Sequence, residues 1–129
     1  MKLFAALVVL LASNVAFAGE CPVTDLTDYQ TNVITLIEAS KTCYEAAEIA
    51  ESCAFGSSMD VGTTGAAMGV CAKDFESKLK KSETRTYNSL INKCNSKYAN
   101  MQGTMYIASA AFCRLSVFRL YSELYTPAE

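Results

Sequence analysis

Six cysteines and no histidine set the chemical repertoire of this 129-residue chain. Thiols at Cys21, Cys43, Cys53, Cys71, Cys94 and Cys113 suit either a metal or one another. A zinc site gathers thiolates in close pairs or adds histidine, and this chain has no C-x-x-C pair and no imidazole. The same absence removes Ser-His-Asp and Cys-His nucleophiles. The glycines of "FGSSMDVGTTGAAMG" lack the lysine and spacing of a phosphate loop. A hydrolase built from carboxylates needs two acids converging in a cleft, and no pair stands out. The expectation is therefore a non-enzymatic protein with no metal and no cofactor. Its formal net charge of −2 does not suit nucleic acid as a partner.

What the cysteines do depends on compartment, and the first 21 residues bear on that. Lys2 precedes the apolar stretch "LFAALVVLLA", and "AFA" at 16–18 follows. A charged start, a short apolar core and a small-x-small site read as a secretory signal peptide over residues 1–18, cleaved after Ala18. Cys21 follows Glu20, whereas a lipid-modified cysteine needs a small residue before it. Residues 19–129 then form a single domain in the periplasm or outside the cell, with all six cysteines in it. An even cysteine count in a small exported chain reads as three disulfides. They supplement the small core that such a chain can bury.

Apolar periodicity supplies the elements that hold these cysteines. Leu26, Tyr29, Val33, Ile37, Tyr44, Ala47 and Ile49 recur at helical steps and predict a first helix over about 24–54, capped by Thr24 or Asp25. Gly, Ser and Thr over 56–65 read as a loop. A second helix is expected over 66–102, through Met68, Cys71, Phe75, Leu79, Tyr87, Leu90, Cys94 and Tyr98. Asp74/Lys78 and Glu76/Lys80 would form i,i+4 pairs along it. A third, over 104–126, is apolar on nearly all sides, which marks a buried helix. Arg114 and Arg119 within it argue against insertion in a membrane. The fold class is an all-α, disulfide-stapled antiparallel bundle of three main helices. The aromatics and methionines at helical spacing read as core rather than as a ligand box or a copper site.

A helical hairpin places residues equidistant from its turn face to face. Gly62 lies midway between Cys53 and Cys71, and Gly103 between Cys94 and Cys113, so both pairs suit a bridge across a hairpin. Cys21 and Cys43 remain. On an unbroken helix they would lie about 30 Å apart, so that pairing needs the chain to fold back or the helix to break.

Charge is unevenly spread. Residues 19–62 carry eight acids and one base, Lys41, whereas residues 63–129 carry nine bases and five acids. Ordinary solvated faces explain such a distribution. A sharper reading places Glu38, Glu45, Glu48 and Glu51 on one helical face as an acidic stripe. Such a stripe would steer in and pair with a basic protein such as a lysozyme.

"GVCAKDFESKLKKSETRTYNSLINKC" followed by "QGTMYIASAAFCRLSVFRL" resembles the LprI-like lysozyme-inhibitor domain. Cys71, Leu79, Tyr87, Cys94, Gly103, Met105, Cys113 and Arg119 occupy that family's cysteine, apolar, turn and arginine positions, over roughly residues 53–124. The resemblance implies a small, helical, disulfide-bonded bacterial protein of the periplasm or exterior. In some members of the family it implies lysozyme inhibition. Two other classes fit the residues: an envelope protein that binds a small apolar ligand among its helices, and a structural envelope protein with no inhibitory activity.

Overall fold

The computed structural model describes residues 19–126; the expected leader at 1–18, and Pro127, lie outside them. The described residues are helical, but the three expected helices are five: α1 (Tyr29–Glu38), α2 (Cys43–Ser52), α3 (Asp60–Ala72), α4 (Lys81–Tyr98) and α5 (Thr104–Tyr125). A short 3-10 turn, Glu76–Lys78, joins α3 to α4.

The first expected helix starts late and breaks in the middle. Asp25 accepts the Thr27 amide instead of capping a helix, and α1 begins only after Asp28. Beyond Glu38 the backbone closes with a tighter bond, Ser40 N–H to Ile37 O. Thr42 then adopts an extended conformation and accepts the Glu45 amide, while the Glu45 carboxylate accepts the Lys41 amide. That exchange is a variant of the capping box, and it starts a new helix. The stretch "TCYE" carried that signal, which apolar periodicity passed over.

The Gly/Ser/Thr stretch expected as a loop is only partly one. The turn spans residues 54–59, where Gly56 takes φ 71°. From Asp60 onward the run "DVGTTGAAMG" is helix. Its small residues let neighbours come close: Thr63 and Thr64 are fully buried, and a Cβ on Gly62 would meet Gln30 Nε2 at 2.8 Å. Asp60 anchors the turn, and its buried carboxylate accepts the amides of Phe55, Gly56 and Ser57 at 2.7–3.2 Å.

The second expected helix also breaks, between Lys73 and Lys80. Phe75 turns inward and is fully buried, and Leu79 and Lys80 are extended. The expected Asp74/Lys78 and Glu76/Lys80 pairs therefore fall in a connector. No such ion pair forms among the described residues, and Asp74 accepts the Ser122 hydroxyl instead. The break allows the two halves of this segment, α3 and α4, each to pack against α5.

The core follows from these contacts. α3 lies against α1, α2 and α5, while α4 packs chiefly on α5. Val33, Ile37, Ala46, Ala47, Ala50, Ala67 and Leu115 are fully buried where the helices meet. Burying each of the larger aliphatic chains contributes about 1.5–3 kcal/mol. The alanine face of α2 lets it approach α3 closely.

The bridges are Cys21–Cys53, Cys43–Cys71 and Cys94–Cys113. The third is the pair expected across the Gly103 turn. The expected Cys53–Cys71 and Cys21–Cys43 pairs are wrong, for a reason contained in the hairpin rule itself. The first turn is centred near residue 57, not 62, and Ser57 lies midway between Cys43 and Cys71. Cys53, beside the turn at the end of α2, is left to the N-terminal lead through Cys21.

Candidate functional site

α2 turns its buried and exposed residues apart with helical regularity. Cys43, Ala46, Ala47 and Ala50 face inward; Tyr44, Glu45, Glu48 and Glu51 face outward. The Cys43–Cys71 bridge pins the start of α2 to the end of α3, so the outward face is rigidly held. Of the four acids expected to share a stripe, three do. Glu38 is the exception: it ends α1, and the break before Thr42 puts it on a different helix.

The three acids are not equivalent. Glu45 is used in the cap of α2. Glu48 and Glu51 converge on Arg119, which α5 brings across the surface. Arg119 Nη1 lies 2.7 Å from Glu51 Oε1, and Nη2 lies 3.6 Å from Glu48 Oε1. The guanidinium carbon also lies 5.7 Å from the centroid of the Tyr44 ring, within cation–π range. The sequence placed Arg119 as a family position and as a charge against membrane insertion, and Tyr44 only in the apolar repeat of the first expected helix. Tyr44 is in fact 59 % exposed. Nothing in the local sequence links Arg119 to Glu51, 68 residues away.

Beside this cluster, α2 and the end of α5 enclose a cleft of about 340 Å³ lined by Thr42, Tyr44, Arg119, Ser122, Glu123 and Thr126. Ser122 is held from below by Asp74. The corner thus combines an exposed aromatic ring, four carboxylates counting Glu123, and one guanidinium. Its ion pairs are solvent-exposed and each contributes about 0–1 kcal/mol to stability. Their main consequence is an acidic surface that already accommodates a cation.

Phe75 of the α3–α4 connector and the aromatics of α4 and α5 that it meets have a different use. Phe75, Tyr87, Phe118 and Tyr121 pack on one another at centroid separations of 5.2–5.6 Å and fill their own space. Burial, then the nearby Glu76 charge, pushes the Tyr87 hydroxyl up to about 12. At the same end, the Glu83 carboxylate beside the Tyr125 hydroxyl pushes it up to about 12 as well. Glu83 is lowered, first by accepting the Lys80 amide and then by Tyr125. These are structural couplings at the start of α4.

Among the described residues, no three His, Cys, Asp or Glu side chains are grouped to hold a metal ion, and no helix is long and apolar enough to cross a membrane. No family model, curated protein or solved structure matches the chain. Three formed disulfides fit an oxidising environment.

Proposed function

We propose that this protein is an exported, non-enzymatic binding protein of the periplasm or the exterior, similar to lysozyme inhibitors, which takes a basic protein on the outer face of α2. The observation that carries the reading is the concentration of Glu45, Glu48, Glu51 and Glu123 around exposed Tyr44, with Arg119 as their internal counter-charge. An aromatic ring among carboxylates on a cross-linked helix suits recognition of lysine and arginine side chains, since little ordering remains to be done on binding. The resemblance of residues 53–124 to the LprI-like domain supports a lysozyme as the partner.

The test is a muramidase assay with purified, oxidised protein, run beside a direct titration of lysozyme into it. Replacing Glu45, Glu48 and Glu51 together by Gln should weaken binding about tenfold or more and flatten its dependence on salt. Gln at position 45 preserves the helix cap, so the change is one of charge. Unaltered affinity would remove the α2 face from the function. Absence of any lysozyme binding by the parent protein would remove the partner.

A further inference from the structure

The hairpin of α4 and α5 has a second surface, remote in composition from the acidic corner. α4 packs chiefly on α5, and the outer side of their seam is grooved. Leu90 from α4 and Val117 and Leu120 from α5 line a groove of about 350 Å³ over the Cys94–Cys113 bridge. Leu120 is 46 % exposed there, so its apolar surface is available to a partner. Lys93 and Lys97 edge the groove from the α4 side, and neither has an ion-pair partner among the described residues.

We propose that this groove docks an amphipathic α-helix of a partner protein, one whose apolar stripe covers Leu90, Val117 and Leu120 and whose acidic flank meets Lys93 and Lys97. The seam between two helices is the natural seat for a third, because side-chain ridges fit the groove. The bridge beneath fixes the hairpin in advance, which removes an ordering cost. The two lysines supply the choice of partner: an acidic flank gains their charge, and a basic flank is repelled. A second copy of the chain is a poorer occupant, because stacking like seams brings the same lysines together. A small molecule in so open a groove would keep too much of its surface in water. This surface stands apart from the α2 face, so either reading can fail without the other.

The probes are two synthetic helical peptides with the same leucine stripe and one tryptophan in it, flanked by glutamates in one and lysines in the other. The chain has no tryptophan, so the peptide's fluorescence reports binding without background. Measured in a Glu45→Gln, Glu48→Gln, Glu51→Gln background, which keeps the lysine peptide off the α2 face, the glutamate-flanked peptide should bind at least about tenfold tighter than the lysine-flanked one, and Leu120→Glu should lower its affinity by at least about tenfold. The double change Lys93→Glu and Lys97→Glu should reverse the preference. That reversal is a gain of binding to the lysine peptide, and it counts where the variant keeps the parent's helical circular dichroism and cooperative melting, which excludes adhesion to an unfolded chain. Equal affinities, binding of neither peptide, or indifference to Leu120→Glu would overturn the proposal. So would a dimer in sedimentation that Leu120→Glu dissolves, which would assign the groove to self-association.

Discussion

At the scale of single residues, the polar groups that matter most for the fold are Asp60 and Tyr87. Asp60 is fully buried and takes the amides of Phe55, Gly56 and Ser57, closing the α2–α3 turn that sets the first hairpin. In Asp60→Asn one acceptor oxygen becomes a donor facing donors, and the charge assisting these bonds is lost. The expected cost is about 2 kcal/mol, read from the denaturant midpoint at constant slope. Tyr87 gives a pH signature. Its pKa in the fold is raised to about 12 from the ordinary 10, chiefly by burial, so the folded state holds a proton that the unfolded chain releases first. Stability from this group is complete below pH about 10 and declines as pH rises towards about 12. Tyr125 acts in the same direction. An ultraviolet titration of tyrosinate should therefore show a late-ionising fraction, and Tyr87→Phe should reduce it and flatten the alkaline loss of stability.

At the scale of elements, α3 is the least expected helix and the most improvable. Gly65 and Gly69 are exposed and helical, and a Cβ at either position would meet nothing within 4 Å. Gly65→Ala and Gly69→Ala should each stabilise by about 0.5–1 kcal/mol, measured as a higher melting temperature. A smaller gain would mean that the Cys43–Cys71 bridge already restricts this segment in the unfolded chain. The same helix shows what periodicity can and cannot carry. The extent of α5 was readable from Gly103 and its apolar content, but its expected burial was not: Met105, Ile107, Leu120 and Leu124 are exposed, because the helices that cover it, α2, α3 and α4, leave one side open. The α1–α2 break was readable from the Thr42–Glu45 capping pattern, had local signals been weighed against period. The start of α3 was not, because Gly and Thr there serve close packing against Gln30, a contact that no local window contains. The Lys73–Lys80 break carries neither Gly nor Pro; it follows from Phe75 entering the aromatic cluster that α4 and α5 supply. Of the candidate site, the acids were visible. Their counter-ion and the exclusion of Glu38 depended on where α5 crosses and where α1 stops.

At the scale of the whole molecule, the three bridges divide the labour, and the division is testable by removing each in turn. Cys94–Cys113 spans only the α4–α5 hairpin, and Cys21–Cys53 ties down the N-terminal lead, where Tyr29 also donates to Cys21 Sγ at 3.0 Å. Cys43–Cys71 alone joins the helix that bears the acidic face to the central helix α3. Replacing Cys43 and Cys71 together by Ala should cost about 2–4 kcal/mol, as should replacing Cys21 with Cys53. The two losses differ in where they fall. Without Cys21–Cys53, amide exchange should rise in residues 19–28 and leave α2 protected. Without Cys43–Cys71, exchange should rise along α2, and affinity for a basic partner should fall even at temperatures where the protein stays folded, since Glu45, Glu48 and Glu51 lose their fixed backing. If α2 stayed protected and affinity held in that second variant, the buried alanines at 46, 47 and 50 would be sufficient to hold the face, and the covalent link would serve stability alone.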